Sequence, residues 1–588
     1  MPAIEDYALI GAGNTLLLEN RNGSIDWLCA PYPHSAAICA ALLGSREHGY
    51  WQIRVDGEVE TTRRYTAAGM GVETTWITDN GVAQLHTHIR VESGSAVLER
   101  SIACTKGECH VSSIFHPLGG YGSTPAQITT RENGGYQLSF AEGLTTDFTA
   151  PKATQCNEGA LETHVRLTAG EKASWVLSWQ CDSAQSNIPV SAVCHAMNSQ
   201  VPTRWAQMVS RSVQVLTQLC QPSGAILAAP TTSLPEFFGG VRNWDYRYCW
   251  LRDSALTVEA LLIARHWGFD CTDYAIRWRE WITTQILNDP ENILIMYGIN
   301  GERELEEKEL AHLPGFAHSR PVRIGNGAWN QYQADVAGEV LLCFAQLRHA
   351  GIMDTPQSWV AQKYLADFMC AHFDRPDHGI WEMRGQLQHF THSRAMMWAG
   401  FNQLLHAVSA YPDTPSEQIH QWELFRDRLE EEILTFGVHP THGYFTQTFG
   451  GEEVDASLLQ LPHTGLIAWD DPRMRATIER IEQELADDNG FICRYHTQVD
   501  QAGIDGIAGG EYPFVICNFW LAEAYAHSGE MMKAQALVDR LCDCANDLGL
   551  LAEEYDPETQ RLAGNFPQAF SHVGLIRAVF ACAINMGE

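Results

Sequence analysis

Residues 379–398 place Glu382 directly after Trp381, within a run of aromatic, His, Gln and Arg side chains. A carboxyl group that lies against aromatic surface is poorly solvated, and poor solvation favours its protonated form. A protonated Glu can act as a general acid near neutral pH. Aromatic faces and short polar groups are also what a sugar needs in a pocket. Glu382 is therefore a candidate general acid, and the alternative is a loop Glu that only pairs with Arg384.

A second loop, residues 239–253, ends with the adjacent pair Arg252 and Asp253. The same loop carries several aromatic residues, among them Trp244, Tyr246 and Trp250. Among aromatic side chains, an Arg–Asp pair offers the donors and acceptors that bind sugar hydroxyls. The alternative is structural, with Asp253 capping a helix that begins at Ser254.

Near the C-terminus Glu553 and Glu554 are adjacent, in a loop bounded by apolar residues 550–552 and by Phe566, Phe570 and His572. On extended backbone two neighbouring side chains face opposite ways, so one of them can point into a cleft. The alternative is an acidic loop on the surface.

Two further loops carry polar residues suited to a sugar. Residues 313–335 are rich in Arg, Asn and Gln and include Arg323, and residues 510–520 place Glu511 at the start of an aromatic helix. Mostly neutral polar side chains of this kind suit the recognition of hydroxyl groups.

His389 and His392 have the HxxH spacing of some zinc sites. A third ligand at a fixed offset is missing, so the spacing favours contact with sugar or packing for His392 over zinc binding. We predict neither a metal nor a cofactor.

The composition limits the partners and the compartment. The 588 residues carry a formal charge of −32, which would repel nucleic acid and anionic membranes. The first twenty residues lack a secretory signal, and no apolar run is long enough to span a membrane. The 17 cysteines show no zinc-like CxxC pairs, so we expect reduced thiols and a cytoplasmic protein, for which a homo-oligomer is compatible with the sequence.

The order of strand and helix patterns indicates two domains. Residues 24–180 read as strands with short turns, for example a hairpin at residues 79–81 and a second turn at residues 105–108. From residue 203 about eleven helical patterns follow, joined by long polar loops. We predict a multidomain β + α protein with an N-terminal antiparallel β-sandwich (1–200), a linker helix and connection (201–240) and a helical toroid (241–588). A helical solenoid is the alternative, although no fixed repeat is visible.

Several segments, in order along nearly the whole chain, resemble glycoside hydrolase family 15, which contains glucoamylases, bacterial trehalases and related α-glucosidases. They are IEDYALIG, GSIDWLC, APTTSLPE, RNWDYRYCWLRD, MYGINGERELEEKEL, PVRIGNGAWNQYQAD, GIWEMRG, HFTHSRAMMW and EEYDP…GNFPQAFSHVGLI. The resemblance implies a super-β-sandwich followed by a catalytic (α/α)6 barrel.

The resemblance also implies roles for single residues. Glu382 matches the general acid and Glu553 the general base. Arg252 and Asp253 match the positions that hold the non-reducing-end glucose in the −1 subsite. The same region includes Trp250, Trp381 and Glu511.

Three positions depart from the common pattern of this family. His34 replaces an acid, Arg394 stands where a Lys is common, and Asn518 stands where a Ser is common. We expect these departures to change substrate choice more than mechanism.

Together these features predict an inverting, exo-acting hydrolase that releases β-glucose from a small α-glucoside such as trehalose, an isomalto-oligosaccharide or a maltodextrin. Inversion requires two carboxyl groups about 6.5–9.5 Å apart, with a water molecule between one of them and the sugar. The alternatives are an inverting phosphorylase, a transglucosylase, and a glucan-binding protein without activity.

Overall fold

The computed structural model describes residues 2–66, 71–132, 134–181, 201–497 and 503–586. A sheet-rich N-terminal domain precedes a helical domain. The strands of the first domain are β1 (Tyr7–Ala12), β2 (Thr15–Asn20), β3 (Ser24–Cys29), β4 (Ala37–Cys39), β5 (Tyr50–Val55), β6 (Glu60–Tyr65), β7 (Val72–Ile77), β8 (Gly81–Glu92), β9 (Ser95–His116), β10 (Thr124–Pro125), β11 (Gln127–Thr130), β12 (Tyr136–Ser139), β13 (Thr145–Thr149), β14 (Gln155–Asn157), β15 (Ala160–Thr168) and β16 (Lys172–Gln180).

Fifteen of these strands, all but β10, form one antiparallel sheet. The long strand β9 links the branches of this sheet. The first half of β9 pairs with β8 and β16, and its second half pairs with β5 and β15. Buried and partly exposed residues alternate along β8, as expected when one face packs on a core. The predicted antiparallel β domain is confirmed.

The hairpin predicted at residues 79–81 is present, because β7 and β8 pair across it. The turn predicted at residues 105–108 is wrong, since β9 runs through it as one strand of 22 residues. The two halves of β9 have different partners on either side of this point, so the chain changes layers here without reversing direction.

The helical domain contains eleven long α-helices within the described residues. They are α1 (Ala206–Leu219), α2 (Leu251–Arg265), α3 (Thr272–Asn288), α4 (Asp335–His349), α5 (Pro356–Ala371), α6 (Thr391–Ala407), α7 (Ser416–Phe436), α8 (Pro472–Leu485), α9 (Val515–His527), α10 (Met531–Asp543) and α11 (Ala569–Met586). Short ladders in its loops are β17 (Cys249–Trp250) with β18 (Met296–Tyr297), β19 (Lys308–Glu309) with β20 (Arg323–Ile324), and β21 (Glu554–Asp556) with β22 (Arg561–Ala563).

The helices close into a double ring. The inner ring runs α2, α4, α6, the 3₁₀ helix Ala456–Thr464, α9 and α11, which returns to α2. The outer ring contains α3, α5, α7, α8, α10 and α1, and each of these packs against the inner ring. This arrangement is an (α/α)6 barrel, as predicted. The sequence pattern missed the Ala456–Thr464 member because it is a 3₁₀ helix of nine residues with a Pro inside.

The predicted domain boundaries stay predictions, because residues 182–200, where the first boundary falls, lie outside the described residues. The packing of α1 bears on the second boundary. This helix contacts α11 and completes the outer ring, so we propose that the barrel domain begins with α1 and not at residue 241.

Cysteines such as Cys29, Cys39, Cys343 and Cys517 are buried thiols. The expected reduced state of the cysteines stays a prediction. Within the described residues, every helix is too short or too polar to cross a membrane.

Candidate active site

All six helices of the inner ring begin at the same end of the barrel, and a pocket lies there. Helix N-termini carry partial positive charge, which favours carboxylates near them. The pocket is lined by Ala228, Glu236, Arg242, Trp244, Tyr246, Trp250, Arg252, Asp253, Asn326, Ala328, Ile380, Trp381, Glu382, Arg384, Arg494, Tyr495, Ile507, Phe514, Gln568 and Phe570.

The loop 239–253 forms one wall of this pocket and is fixed to the β domain. Trp244 and Tyr246 line the pocket. Asp245 and Arg247 alternate with them, and Arg247 donates to the carbonyls of Pro33 (3.3 Å) and Ser35 (3.1 Å) in the β domain. The side chains of Asp245 and Arg247 are fully buried and form an ion pair at 2.6 Å. The β domain therefore positions this wall of the pocket.

Glu382 lies at the pocket with its side chain 22% exposed. Its Oε1 accepts a hydrogen bond from Trp250 Nε1 at 2.7 Å and lies 3.5 Å from Arg252 Nη2. Its φ is +59°, a conformation that is uncommon for a residue other than Gly and that clusters at functional sites. Arg384 pairs with Glu307 at 3.1 Å, so the structural alternative, in which Glu382 serves only to pair with Arg384, is wrong.

Glu553 lies behind the pocket wall and is fully buried. Its Oε1 accepts from the Tyr246 hydroxyl at 2.6 Å, and its Oε2 accepts from the Asn565 backbone N–H at 3.1 Å. Gly564 packs directly on this side chain, since a Cβ at that position would lie 2.6 Å from both Cβ and Oε2 of Glu553. Both Glu553 and Glu554 have no exposed surface, so the interpretation as an acidic surface loop is wrong.

Two aromatic rings connect Glu553 with Glu382. Tyr246 donates to Glu553, Trp250 donates to Glu382, and the two rings meet edge to face with centroids 5.6 Å apart. Both rings line the pocket. Glu382 and Glu553 are 171 positions apart in sequence (553 − 382). The fold brings them to the two ends of one contacting pair of rings, Trp250 and Tyr246.

Arg252 and Asp253 form the buried base of the pocket, with exposures of 5% and 7%. Arg252 donates to Gln333 Oε1 at 3.0 Å and to the Ile380 carbonyl at 2.9 Å, and its Nη2 lies 3.2 Å from Asp253 Oδ2. Burial raises the pKa of Asp253 to about 6, and the charge of Arg252 opposes this rise. The helix-cap alternative is wrong, because α2 begins at Leu251 and Asp253 lies within its first turn.

Three carboxyl groups with buried side chains, those of Glu236, Glu511 and Glu554, form a cluster beside the pocket. Arg494 binds two of them, at 3.0 Å from Glu236 and 2.6 Å from Glu511. Burial raises the pKa of Glu511 to about 7, and burial together with the neighbouring acids raises the pKa of Glu554 well above its usual range. The ligand atoms are close enough for a cation, but the guanidinium of Arg494 already supplies positive charge to two of these carboxylates.

Four residues predicted to contact substrate lie in different places. Trp381 lines the pocket, where its Nε1 donates to Asp455 at 2.8 Å. Glu511 lies behind the pocket in the acidic cluster. Arg323 lies against the Trp244 ring, 4.6 Å from its centroid, and donates to backbone carbonyls. His392 is buried and lines a separate small cavity within the barrel.

The structure adds residues that the sequence did not single out, namely Glu236, Arg242, Arg494 and Tyr495. Glu236 closes the segment APTTSLPE, so the family-like motif contained a signal for it. Arg494 and Tyr495 stand in a short loop without a pattern, and only the tertiary packing brings them to the pocket.

None of the three departures from the family pattern lines the pocket. His34 lies 3.5 Å from Glu302 and stacks on Tyr32. Arg394 pairs with Glu432 at 2.5 Å. Asn518 exchanges hydrogen bonds with the backbone of Ile492. All three side chains therefore make structural contacts.

Comparisons with known proteins agree with this architecture. The profile of the family described as "Glycosyl hydrolases family 15" matches residues 204–540 and 532–580, and that of the family "Trehalase-like, N-terminal" matches residues 1–147. A protein named trehalase from Mycobacterium tuberculosis is 34% identical over 98% of this chain and 89% of its own length. A protein named trehalase from Thermoplasma volcanium is 29% identical over 98% of this chain and 93% of its own length.

Among solved structures, a bacterial glucoamylase in complex with acarbose superposes with a TM-score of 0.72. The alignment covers 100% of this chain and 96% of the glucoamylase at 14% identity. At this identity the likeness concerns the fold alone.

Proposed function

Because the chain belongs to glycoside hydrolase family 15, and is therefore an enzyme that hydrolyses glycosidic bonds, we propose that it is an inverting, exo-acting α-glucoside hydrolase whose substrate is trehalose. The single observation that carries the mechanism is the connection of Glu382 and Glu553 through Trp250 and Tyr246 at one pocket.

In the proposed reaction, Glu382 gives its proton to the glycosidic oxygen as the bond from that oxygen to C1 breaks. A water molecule that binds beside Tyr246 forms the new bond to C1 and passes a proton to Glu553. Arg252 and Asp253 bind the glucose whose C1 reacts, at the closed base of the pocket. Positioning and proton transfer at these residues supply the rate.

Trehalose is favoured as the substrate by the names of the two relatives, which align over nearly the whole chain. A pocket that closes at Arg252 and Asp253 suits a substrate with one glucose inside and one sugar outside. The phosphorylase, the transglucosylase and the inactive binding protein have no observation in their favour. The cytoplasmic location and the oligomeric state stay predictions.

A panel of α-linked glucose disaccharides tests the substrate. We expect the purified protein, in phosphate-free buffer, to release glucose faster from trehalose than from maltose or isomaltose. Faster release from either of the others would contradict the assignment to trehalose. Formation of glucose 1-phosphate when phosphate is added would contradict hydrolysis itself.

Proton NMR of the first product tests inversion. Each trehalose should give one β-glucose, from the attacked C1, and one α-glucose, whose own bond to the oxygen is not broken. Two α-glucose molecules in the earliest spectra would show retention, and the roles of both carboxyl groups would then be wrong.

The acidic cluster predicts how activity depends on pH. Burial and, after it, the charge of Glu236 raise the pKa of Glu553, the Tyr246 hydroxyl lowers it, and the net result is a pKa of about 8. A general base must be deprotonated, so activity should rise with pH as Glu553 loses its proton. Glu236→Gln removes a negative charge, and we expect the acidic limb of kcat/KM against pH to move to lower pH.

The matched variant is Tyr246→Phe, which removes the hydrogen bond that stabilises the carboxylate of Glu553. This change should move the same limb to higher pH. Shifts in the same direction for both variants would show that Glu553 is not the group that titrates.

A further inference from the structure

The side chains that line the pocket become more exposed to solvent from its base to its mouth. Arg252 and Asp253 are almost fully buried, Glu382 is 22% exposed at its side chain, and Arg384 is 34% exposed. Arg384 follows Glu382 by two positions and lines the same pocket. A group bound next to Arg384 therefore lies on the outer side of Glu382, where the leaving group of the proposed reaction departs.

The guanidinium of Arg384 is held in place from two sides. Its Nη2 lies 3.1 Å from Glu307 Oε2, and its Cζ lies over the Trp244 ring, 4.5 Å from the ring centroid. Its backbone N–H donates to the Asp505 carbonyl at 2.7 Å. Glu307 is fixed in turn, because it also accepts from the Gly327 N–H at 3.0 Å.

Most of the donor capacity of Arg384 is not used by these partners. An arginine side chain carries five N–H donors, and within the described part of the chain only Nη2 of Arg384 has a side-chain partner. Arg384 is an exposed residue, so a ligand in the pocket mouth can reach the remaining donors. A fixed guanidinium with free N–H groups suits the oxygen atoms of a polar ligand.

We propose that Arg384, fixed by Glu307 and Trp244, is the residue that recognises the leaving sugar through its hydroxyl oxygens, and so selects a sugar over an apolar leaving group. This inference rests on the proposed function. It assigns to Arg384 the outer half of the substrate, whereas Arg252 and Asp253 hold the inner glucose.

The charge around Arg384 favours a neutral sugar over a phosphorylated one. Glu307 lies 3.3 Å from Arg323 as well as 3.1 Å from Arg384. Its carboxylate stands beside the donors that a phosphate would need, and a phosphate dianion would lie next to that negative charge. Hydroxyl oxygens accept hydrogen bonds from Arg384 without this repulsion.

The test compares two substrates that differ in the leaving group. The leaving group of trehalose is a sugar with several hydroxyl groups. The leaving group of p-nitrophenyl α-glucoside is an aryl group that lacks sugar hydroxyls. For Arg384→Met we expect kcat/KM on trehalose to fall by about 10- to 100-fold, since a charged hydrogen-bond donor to the substrate is lost. The kcat/KM on the aryl glucoside should stay unchanged.

Arg426→Met is the matched control, because Arg426 lies on the outer helix α7 and pairs with Asp427. It should change neither value. Glu307→Gln should keep Arg384 present but less firmly held, and should lower kcat/KM on trehalose by less than Arg384→Met does. The melting temperature of each variant shows whether it folds.

The outcomes separate this inference from the proposed function. If the wild-type enzyme cleaves another disaccharide faster than trehalose, the substrate assignment fails and the comparison is made with that disaccharide. If Arg384→Met loses activity equally on both substrates, or on neither, Arg384 does not read the leaving sugar. A wild-type preference for a 6-phosphorylated disaccharide would also overturn the inference.

Discussion

Glu382→Gln should lower kcat on trehalose by about 10²- to 10⁴-fold, the range that general acid catalysis contributes. Gln keeps the size of the side chain and can still accept a hydrogen bond from Trp250 Nε1, which lies 2.7 Å from Glu382 Oε1. It cannot give a proton to the leaving oxygen. The measurement is glucose release under saturating trehalose, together with a thermal melt that confirms folding.

The leaving group identifies the role of Glu382. α-Glucosyl fluoride has a leaving group that needs little protonation, so Glu382→Gln should lose much less activity on this substrate than on trehalose. Glu306→Gln is the control, because Glu306 is 74% exposed at its side chain and pairs with Lys308. Equal losses on both substrates would show that Glu382 does not serve as the acid.

Glu553→Gln should also lower kcat on trehalose by about 10²- to 10⁴-fold, because the attacking water loses its base. Unlike the change at Glu382, this loss should be as large on α-glucosyl fluoride, since the water must be deprotonated whatever the leaving group is. Glu558→Gln, an exposed residue five positions later in the same loop, should leave both rates unchanged. Activity of Glu553→Gln close to that of the wild type would show that another group is the base.

The same substitution has an expected effect on stability. Burial raises the pKa of Glu553 to about 8 from 4.5. The folded state therefore favours the protonated form of Glu553. The stability that this form contributes is lost as pH rises from 4.5 to about 8. Gln has no charge to lose, so at pH 9 the melting temperature of Glu553→Gln should equal or exceed that of the wild type. A lower melting temperature would show that the hydrogen bonds of Glu553 outweigh the cost of its buried charge.

The sequence predicted the order of the two domains and most of their elements, because period-2 and period-3.6 patterns are local properties of the chain. It failed where local signals conflict with packing. The turn predicted at residues 105–108 is part of the long strand β9. The inner-ring member Ala456–Thr464 has no long helical pattern, since it is a short 3₁₀ helix.

The sequence by itself determined which polar and aromatic residues each loop carries and in what order the loops follow one another. The residue pairs 252–253 and 553–554, together with Glu382, stand out as candidates in the chain alone. Their burial and partners could not be predicted in this way, because they depend on residues hundreds of positions apart, such as Tyr246 and Glu553.

The tertiary structure decided which side chains reach the pocket. Three residues of suitable type lie elsewhere than in the pocket. Arg323 lies against the Trp244 ring, Glu511 lies in the acidic cluster, and His392 lines a second cavity. Arg494 and Tyr495 reach the pocket from a short loop without a distinguishing pattern. The physical reason is that side-chain type follows from the chain locally, whereas distance, solvation and hydrogen-bond partners arise only when the closed ring of helices brings separate loops to one end of the barrel.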